Sequence, residues 1–96
     1  MQNEAEANKP GKRLRKLRNP AGAKILGNRL RALRKNIKWS RQRLATEAGI
    51  EVSTVKRIEF ALTSPTFDVL ISLSRALDVP MHELVQDDVI VASDAD

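Results

Sequence analysis

Ser40-Arg41-Gln42-Arg43-Leu44-Ala45-Thr46-Glu47-Ala48-Gly49-Ile50-Glu51-Val52-Ser53-Thr54-Val55-Lys56-Arg57-Ile58-Glu59 is the stretch that decides the fold. Ser40 is a good helix N-cap, because its hydroxyl accepts a bond from an early backbone N–H. Trp39 before it and Leu44 four residues after it suit a hydrophobic staple. Arg43 stands where a capping box would want Glu or Gln, so that half of the signal is missing. Leu44, Ala45 and Ala48 are the apolar residues of this helix, and Gly49 is a natural left-handed stop. A further helix is expected from Val52 to Phe60, with Val55 and Ile58 inward and Ser53, Thr54, Lys56 and Arg57 largely outward. Glu51 holds its N-cap slot, where a shorter Ser or Asp caps better. Two short helices joined by a glycine turn form a helix-turn-helix arrangement.

The flanks supply the rest of an all-α fold. Upstream, Leu26, Leu30 and Leu33, with Ile37 just beyond, fall at i, i+4, i+7 and i+11, which predicts a first helix over 24–36. Arg29, Arg31 and Lys35 lie mostly off that stripe. Downstream, Ala61 to Pro65 reads as a loop. Thr66 caps a fourth helix over 67–77, with Phe67, Leu70, Leu73, Ala76 and Leu77 on one stripe. Pro80 opens a short fifth helix through Val85. The expected architecture is a compact five-helix domain over 24–85, between a flexible basic arm over 1–23 and a flexible acidic tail over 86–96. The arm carries Lys9, Lys12, Arg13, Arg15, Lys16 and Arg18 with only Leu14 and Leu17 apolar, and Asn19-Pro20-Ala21-Gly22 reads as a breaker. The echo of Arg13 to Arg18 in Arg29 to Arg34 is a single copy, too few for a repeat fold.

Composition narrows the chemistry. The chain has 96 residues, no cysteine and one histidine, His82. Disulfides, thiol chemistry, cysteine zinc sites and a multi-histidine metal site are therefore excluded within one chain. No acid–base or nucleophilic set clusters in the sequence, and no glycine-rich phosphate loop appears. The reading is of a non-enzyme with no cofactor and no metal. No apolar run approaches the length of a membrane span, so no membrane partner is expected. Charge is uneven: residues 1–43 hold 14 basic and 2 acidic side chains, a net +12, and residues 44–96 hold 3 basic and 10 acidic, a net −7. That asymmetry points to a polyanion, with nucleic acid ahead of a membrane surface.

At this point the chain resembles a family. Gly27, Leu30, Arg31 and Arg34, then Trp39-Ser40, Leu44-Ala45, Ala48-Gly49-Ile50, Val55, Arg57-Ile58-Glu59, Pro65, Leu70, Ala76-Leu77 and Leu84 look like the phage-repressor-like (lambda-repressor-like) helix-turn-helix family, from about Ile25 to Val85. The resemblance implies a cytoplasmic prokaryotic or phage regulator of transcription, with repression the commonest mode. It binds sequence-specific double-stranded DNA, with helix three in the major groove. Base reading falls to Val52, Ser53, Lys56 and Arg57. Arg57 can bond guanine O6 and N7, and Val52 can touch a thymine methyl. Arg41, Gln42, Arg43 and Thr54 are placed at the DNA backbone, with Arg43 equally a plain surface charge. Arg34 and Glu59 match the family's ion pair between helix one and the end of helix three. A homodimer is implied, formed through the region of Leu84, Val85 and Val89-Ile90-Val91.

Other readings stay open. The chain could instead be an antitoxin-like protein-interaction module that masks a partner through its C-terminal region and regulates its own gene. In the arm, Lys12, Arg13, Arg15, Lys16 and Arg18 can follow DNA phosphates or the minor groove, meet anionic lipid, or stay solvated. Glu51 can accept from cytosine N4 or merely weaken affinity. Phe60 and Leu62 stand where many relatives are polar, and Ala61 replaces a frequent turn glycine. That segment is core or a partner-binding patch, with core favoured.

Overall fold

The computed structural model describes residues 19–86, and residues 1–18 and 87–96 lie outside the described part. The expected arm residues Lys12, Arg13, Arg15, Lys16 and Arg18, and the tail from Asp87 onward, fall there. Five helices follow one another: α1 Pro20–Asn36, α2 Arg41–Ala48, α3 Val52–Glu59, α4 Phe67–Leu77 and α5 Met81–Val85. No strand occurs among the described residues.

Local chemistry accounts for most ends. The Ser40 hydroxyl accepts from Arg43 N at 2.9 Å, and Gly49 closes α2 at φ 71°. Thr66 Oγ1 accepts from Val69 N at 3.2 Å and starts α4, while Asp78 ends it in the left-handed region at φ 57°. The start of α1 differs from expectation. Asn19 Oδ1 accepts from Gly22 N at 2.8 Å, and Pro20 is the first helical residue. Asn is a good cap, and a proline at the first helical position gives up an N–H that has no intrahelical partner anyway. The motif that reads as a breaker is thus the beginning of the helix, and residues 20–23 belong to the domain rather than to the arm.

The core gathers Leu30 from α1, Leu44 and Ala45 from α2, Val55 and Ile58 from α3, Leu73 and Leu77 from α4, and Leu84 from α5. Helix α3 packs on α1 and α2, α4 on α2 and α5, and α5 returns to α1. Each fully buried Leu or Ile contributes roughly 1.5–3 kcal/mol relative to exposure. Phe67 departs from its expected place on the α4 stripe and is 67% exposed. As the first residue of the helix it has no preceding turn to lie on, and Val69 packs against the core in its stead. Ile37 also lies outward, beyond the last turn of α1.

The last turn of α5 is held from across the molecule. Arg29 Nη1 donates to the carbonyls of Glu83 and Gln86, both at 2.7 Å. A guanidinium there satisfies carbonyls that a helix end leaves without partners, and it suits the helix dipole.

Candidate nucleic-acid interface

The site is organised by the way α1 crosses the C-terminal end of α3. Gly27, Arg31 and Arg34 recur at i, i+4 and i+7, so they share one stripe of α1. At Gly27 the two backbones nearly touch: a Cβ there would stand 2.5 Å from Ile58 O and 2.8 Å from Glu59 O. One turn on, Arg31 Nη2 donates to Glu59 O at 3.0 Å. Another turn on, Arg34 grips the Glu59 carboxylate with two bonds, Nε to Oε2 at 2.7 Å and Nη2 to Oε1 at 3.0 Å. Its remaining nitrogen, Nη1, donates to Trp39 O at 2.8 Å. A two-pronged guanidinium–carboxylate contact fixes orientation as well as distance.

Glu59 also takes a bond from Arg41 Nε at 2.9 Å, and Arg31 Nε stands 3.6 Å from the same oxygen. The Glu59 side chain is fully buried. Burial pushes its carboxyl up, but hydrogen bonds from Arg34 and Arg41, together with their charges, more than offset this and hold it below the usual carboxylate range. The carboxylate at the end of α3 also opposes the helix dipole, and the arginines compensate for that as well. Elements α1, α2 and α3 are therefore locked at one point.

From that anchor α3 projects a solvent-facing stripe. Ser53, Lys56, Arg57 and Phe60 follow at i, i+3, i+4 and i+7, with Val52 beside them, and all five are exposed. The structure thus brings the four expected base-reading residues, Val52, Ser53, Lys56 and Arg57, onto one surface. Thr54 is half-buried and lies off it. Glu51 makes no side-chain capping bond and is exposed, which leaves the first backbone N–H groups of α3 without a side-chain cap.

The expected backbone contacts are placed less uniformly. Arg41 opens α2, but its Nε is engaged by Glu59. Gln42 is exposed and bonds Thr46 within its own helix at 3.2 Å. Arg43 bonds Glu47 at 3.0 Å and lies over the Trp39 ring at 4.6 Å. Arg34 and Glu59 meet, as described.

Two features were missed by sequence reasoning. Arg31 joins the Glu59 group, and its position three residues before Arg34 on the same stripe was an available signal. Phe60 and Leu62 are not core: they are 46% and 68% exposed. The guanidiniums of Arg31 and Arg41 both lie over the Phe60 ring, with Cζ atoms 5.4 and 5.2 Å from its centroid. Ala61 follows at φ 58°, turning the chain away from the core. A shallow cleft of about 270 Å³ sits nearby, lined by residues including Asn19, Ala23, Leu62 and Ser64, and no titratable group lines it. Among the described residues no His, Cys, Asp or Glu group could hold a metal, and no helix is long and apolar enough to cross a membrane.

Comparison with known proteins agrees with this geometry. The sequence profile of the HTH_3 helix-turn-helix family matches residues 30–84. The restriction-modification controller protein C.AhdI from Aeromonas hydrophila is 31% identical, with a TM-score of 0.66 over 67% of this chain and 97% of that one. A hypothetical transcription factor, NHTF, from Neisseria shares the fold at 20% identity and a TM-score of 0.67, over 80% of this chain and 90% of that one. An HTH_3-family transcriptional regulator from Vibrio cholerae does so at 23% identity and a TM-score of 0.69, over 78% of this chain and 42% of that one. No curated protein sequence matches the chain. The profile spans more than half of the sequence and the controller protein is covered almost end to end, so the chain belongs to the HTH_3, lambda-repressor-like helix-turn-helix family of DNA-binding transcriptional regulators.

Proposed function

We propose that the protein is a sequence-specific regulator, acting chiefly as a repressor, that reads the major groove with α3. The observation that carries this reading is the exposed stripe of Val52, Ser53, Lys56 and Arg57 on a helix whose far end is locked by Glu59. Such a helix presents its side chains in one fixed orientation, which base discrimination requires. Arg57 is the residue for a guanine, Val52 for a thymine methyl, and Ser53 and Lys56 for base or phosphate. Arg41, Gln42, Arg43 and Thr54 serve the backbone, and the arm of Lys12, Arg13, Arg15, Lys16 and Arg18 adds non-specific attraction. The domain works as a homodimer in the cytoplasm, with half-sites about 34 Å apart. Leu84 is buried in the core, so of the expected dimer residues within the described chain Val85 is the one at the surface. The similarity to a restriction-modification controller protein, 97% of which is covered, supports the regulatory reading of the helix-turn-helix domain.

Selection of binding sites from random duplex DNA, at two salt concentrations, tests this. A two-fold symmetric site is expected, with affinity falling at higher salt and base preference retained. Salt-sensitive binding without base preference would reduce the protein to a non-specific nucleic-acid binder. Stoichiometric co-purification with a small protein, with no DNA selected, would favour the antitoxin-like alternative.

A further inference from the structure

We propose that the cleft between the start of α1 and the turn after α3 takes the side chain of Leu17, so that the root of the basic N-terminal segment docks on its own domain. The inference goes beyond the DNA-reading proposal and does not depend on it. It begins with two helix ends that line one cleft. Each is built from a motif whose apolar half is missing.

The first is the end of α3. Phe60 is its C-cap, so Ala61 and Leu62 are the two residues beyond. Ala61 N donates to Ile58 O at 3.0 Å, Leu62 N donates to Arg57 O at 2.8 Å, and Ala61 lies in the left-handed region at φ 58°. These are the bonds of a Schellman motif, in which the residue in the place of Leu62 often meets an apolar side chain in the last turn of the helix. Here the positions that would supply it are Arg57 and Lys56, both exposed, and Leu62 is left 68% exposed. The backbone closure is complete, and it holds an uncovered leucine in a fixed place.

The second is the start of α1. Asn19 is the N-cap and Pro20 the first helical residue, so Ala23 is the fourth. In a hydrophobic staple the residue before the cap packs on that fourth residue. The residue before this cap is Arg18, whose charged head belongs in water. Leu17, one position earlier, is the nearest apolar side chain upstream.

The cleft joins the two ends. Pro20 and Ala23 line it from α1, and Ala61, Leu62 and Thr63 line it from the turn. Its volume is about 270 Å³, whereas a single water needs only about 10–15 Å³. No titratable group lines it, so nothing there selects an ion. Asn19, where the chain enters α1, belongs to the same lining. Two peptide links separate Leu17 from Asn19, which limits their Cα atoms to about 7.6 Å apart. An occupant tethered that closely gives up little freedom on docking. A second copy would have to overcome the full loss of translational and rotational freedom. Leu17 is flanked by Lys16 and Arg18, so seating it holds those two charges beside the turn that ends α3.

Methyl NMR on the full chain, labelled at leucine and alanine and without DNA, tests this. Nuclear Overhauser contacts are expected from the Leu17 methyls to those of Ala23 and Leu62. A sample that mixes two differently labelled copies identifies their origin. A Leu17 contact within one copy supports the proposal, and its absence overturns it. Contacts found only between copies would assign the cleft to a second copy and count as that absence. Leu17→Ser is expected to remove the contacts and to shift the Ala23 and Leu62 methyl resonances, after a thermal melt has verified folding. Leu14→Ser, the same loss of an apolar side chain three residues earlier, is expected to move those resonances much less. Shifts for Leu14→Ser with none for Leu17→Ser would overturn the choice of occupant. None of these readouts involves DNA, so their failure would leave the DNA-reading proposal standing.

Discussion

At its C-terminal end α3 is held by Glu59, a fully buried carboxylate bonded to Arg34 and Arg41. At its N-terminal end Glu51 makes no capping bond, and Val52 and Ser53 stand in solvent. The eight residues of α3 span about 12 Å. One end therefore fixes where the helix points, and the other is left unsatisfied and open to a ligand. If the exposed face of α3 reads bases as proposed, the buried carboxylate anchors and the exposed side chains read, so changes to the two should affect different measurements.

The strongest way to break the comparison is Glu59→Ala. It would strand Arg34, whose side chain is only 7% exposed, among groups that no longer balance its charge. Arg31 and Arg41 are about a third exposed and can turn toward water, which holds the cost near the lower end of the usual range, about 3 kcal/mol. For a domain of this size that is a fall in Tm of roughly 12–24 °C, read by circular dichroism, with DNA affinity falling too because α3 loses its fixed angle. A melt and a binding curve like those of wild type would mean that the ion group is not structural. The same group sets an acid limit. Because folding lowers the Glu59 pKa, its contribution is complete above the ordinary glutamate value of about 4.3. It is lost as pH falls below that toward the folded value. Glu59→Gln should therefore lack part of the acid-induced loss of Tm seen in wild type.

Gly27→Ala tests the anchor from the other side. Its Cβ would meet backbone oxygens at 2.5 and 2.8 Å, and these belong to α3 rather than to a side chain that can swing away. Overpacking of this kind costs about 1–3 kcal/mol, visible as a lower urea midpoint. Arg57→Ala probes the exposed face rather than the anchor, although Arg57 lies in the same last turn of α3 as Glu59. It is exposed and outside the ion group, so stability should stay within about 0.5 kcal/mol. Discrimination at one base pair should fall by about 1–3 kcal/mol. A variant that lost stability instead would place Arg57 among the anchors and remove the division between buried anchor and exposed face.

What the sequence made legible follows the same division. Ser40, Gly49, Thr66 and the inward pair Val55 and Ile58 act through their immediate neighbours, and local chemistry is enough to place them. Asn19-Pro20 defeats that approach, because the same dipeptide both interrupts a chain and starts a helix, and only the bond to Gly22 decides between them. Phe67 looks like a stripe residue until its position at the first turn of α4 is known. The Glu59 group joins residues 18 to 28 positions apart, where periodicity carries no information. Family resemblance points to Arg34 as the partner but not to Arg31 or Arg41. Phe60 was misread for a related reason: apolar character favours the core, and only the arrangement of the two guanidiniums accounts for a ring left in solvent.

The smallest expected effect lies just past the anchor. Ala61 holds φ 58°, where a Cβ crowds the following carbonyl and costs an L residue roughly 1–2 kcal/mol. Glycine removes that cost but adds freedom to the unfolded chain, worth about 0.4–1 kcal/mol in the opposite direction. Ala61→Gly should therefore stabilise the protein by between about 0 and 1.6 kcal/mol, a rise in Tm of at most roughly 6–13 °C. Its turn follows Phe60 directly, yet Leu62 N still reaches Arg57 O at 2.8 Å to close the end of α3. If that closure and the Glu59 group together fix the helix, base preference should not change, however much the turn relaxes. A shift in the selected site without a change in stability would mean that the turn after α3 also helps to aim it, and the anchor would then have to extend to Leu62.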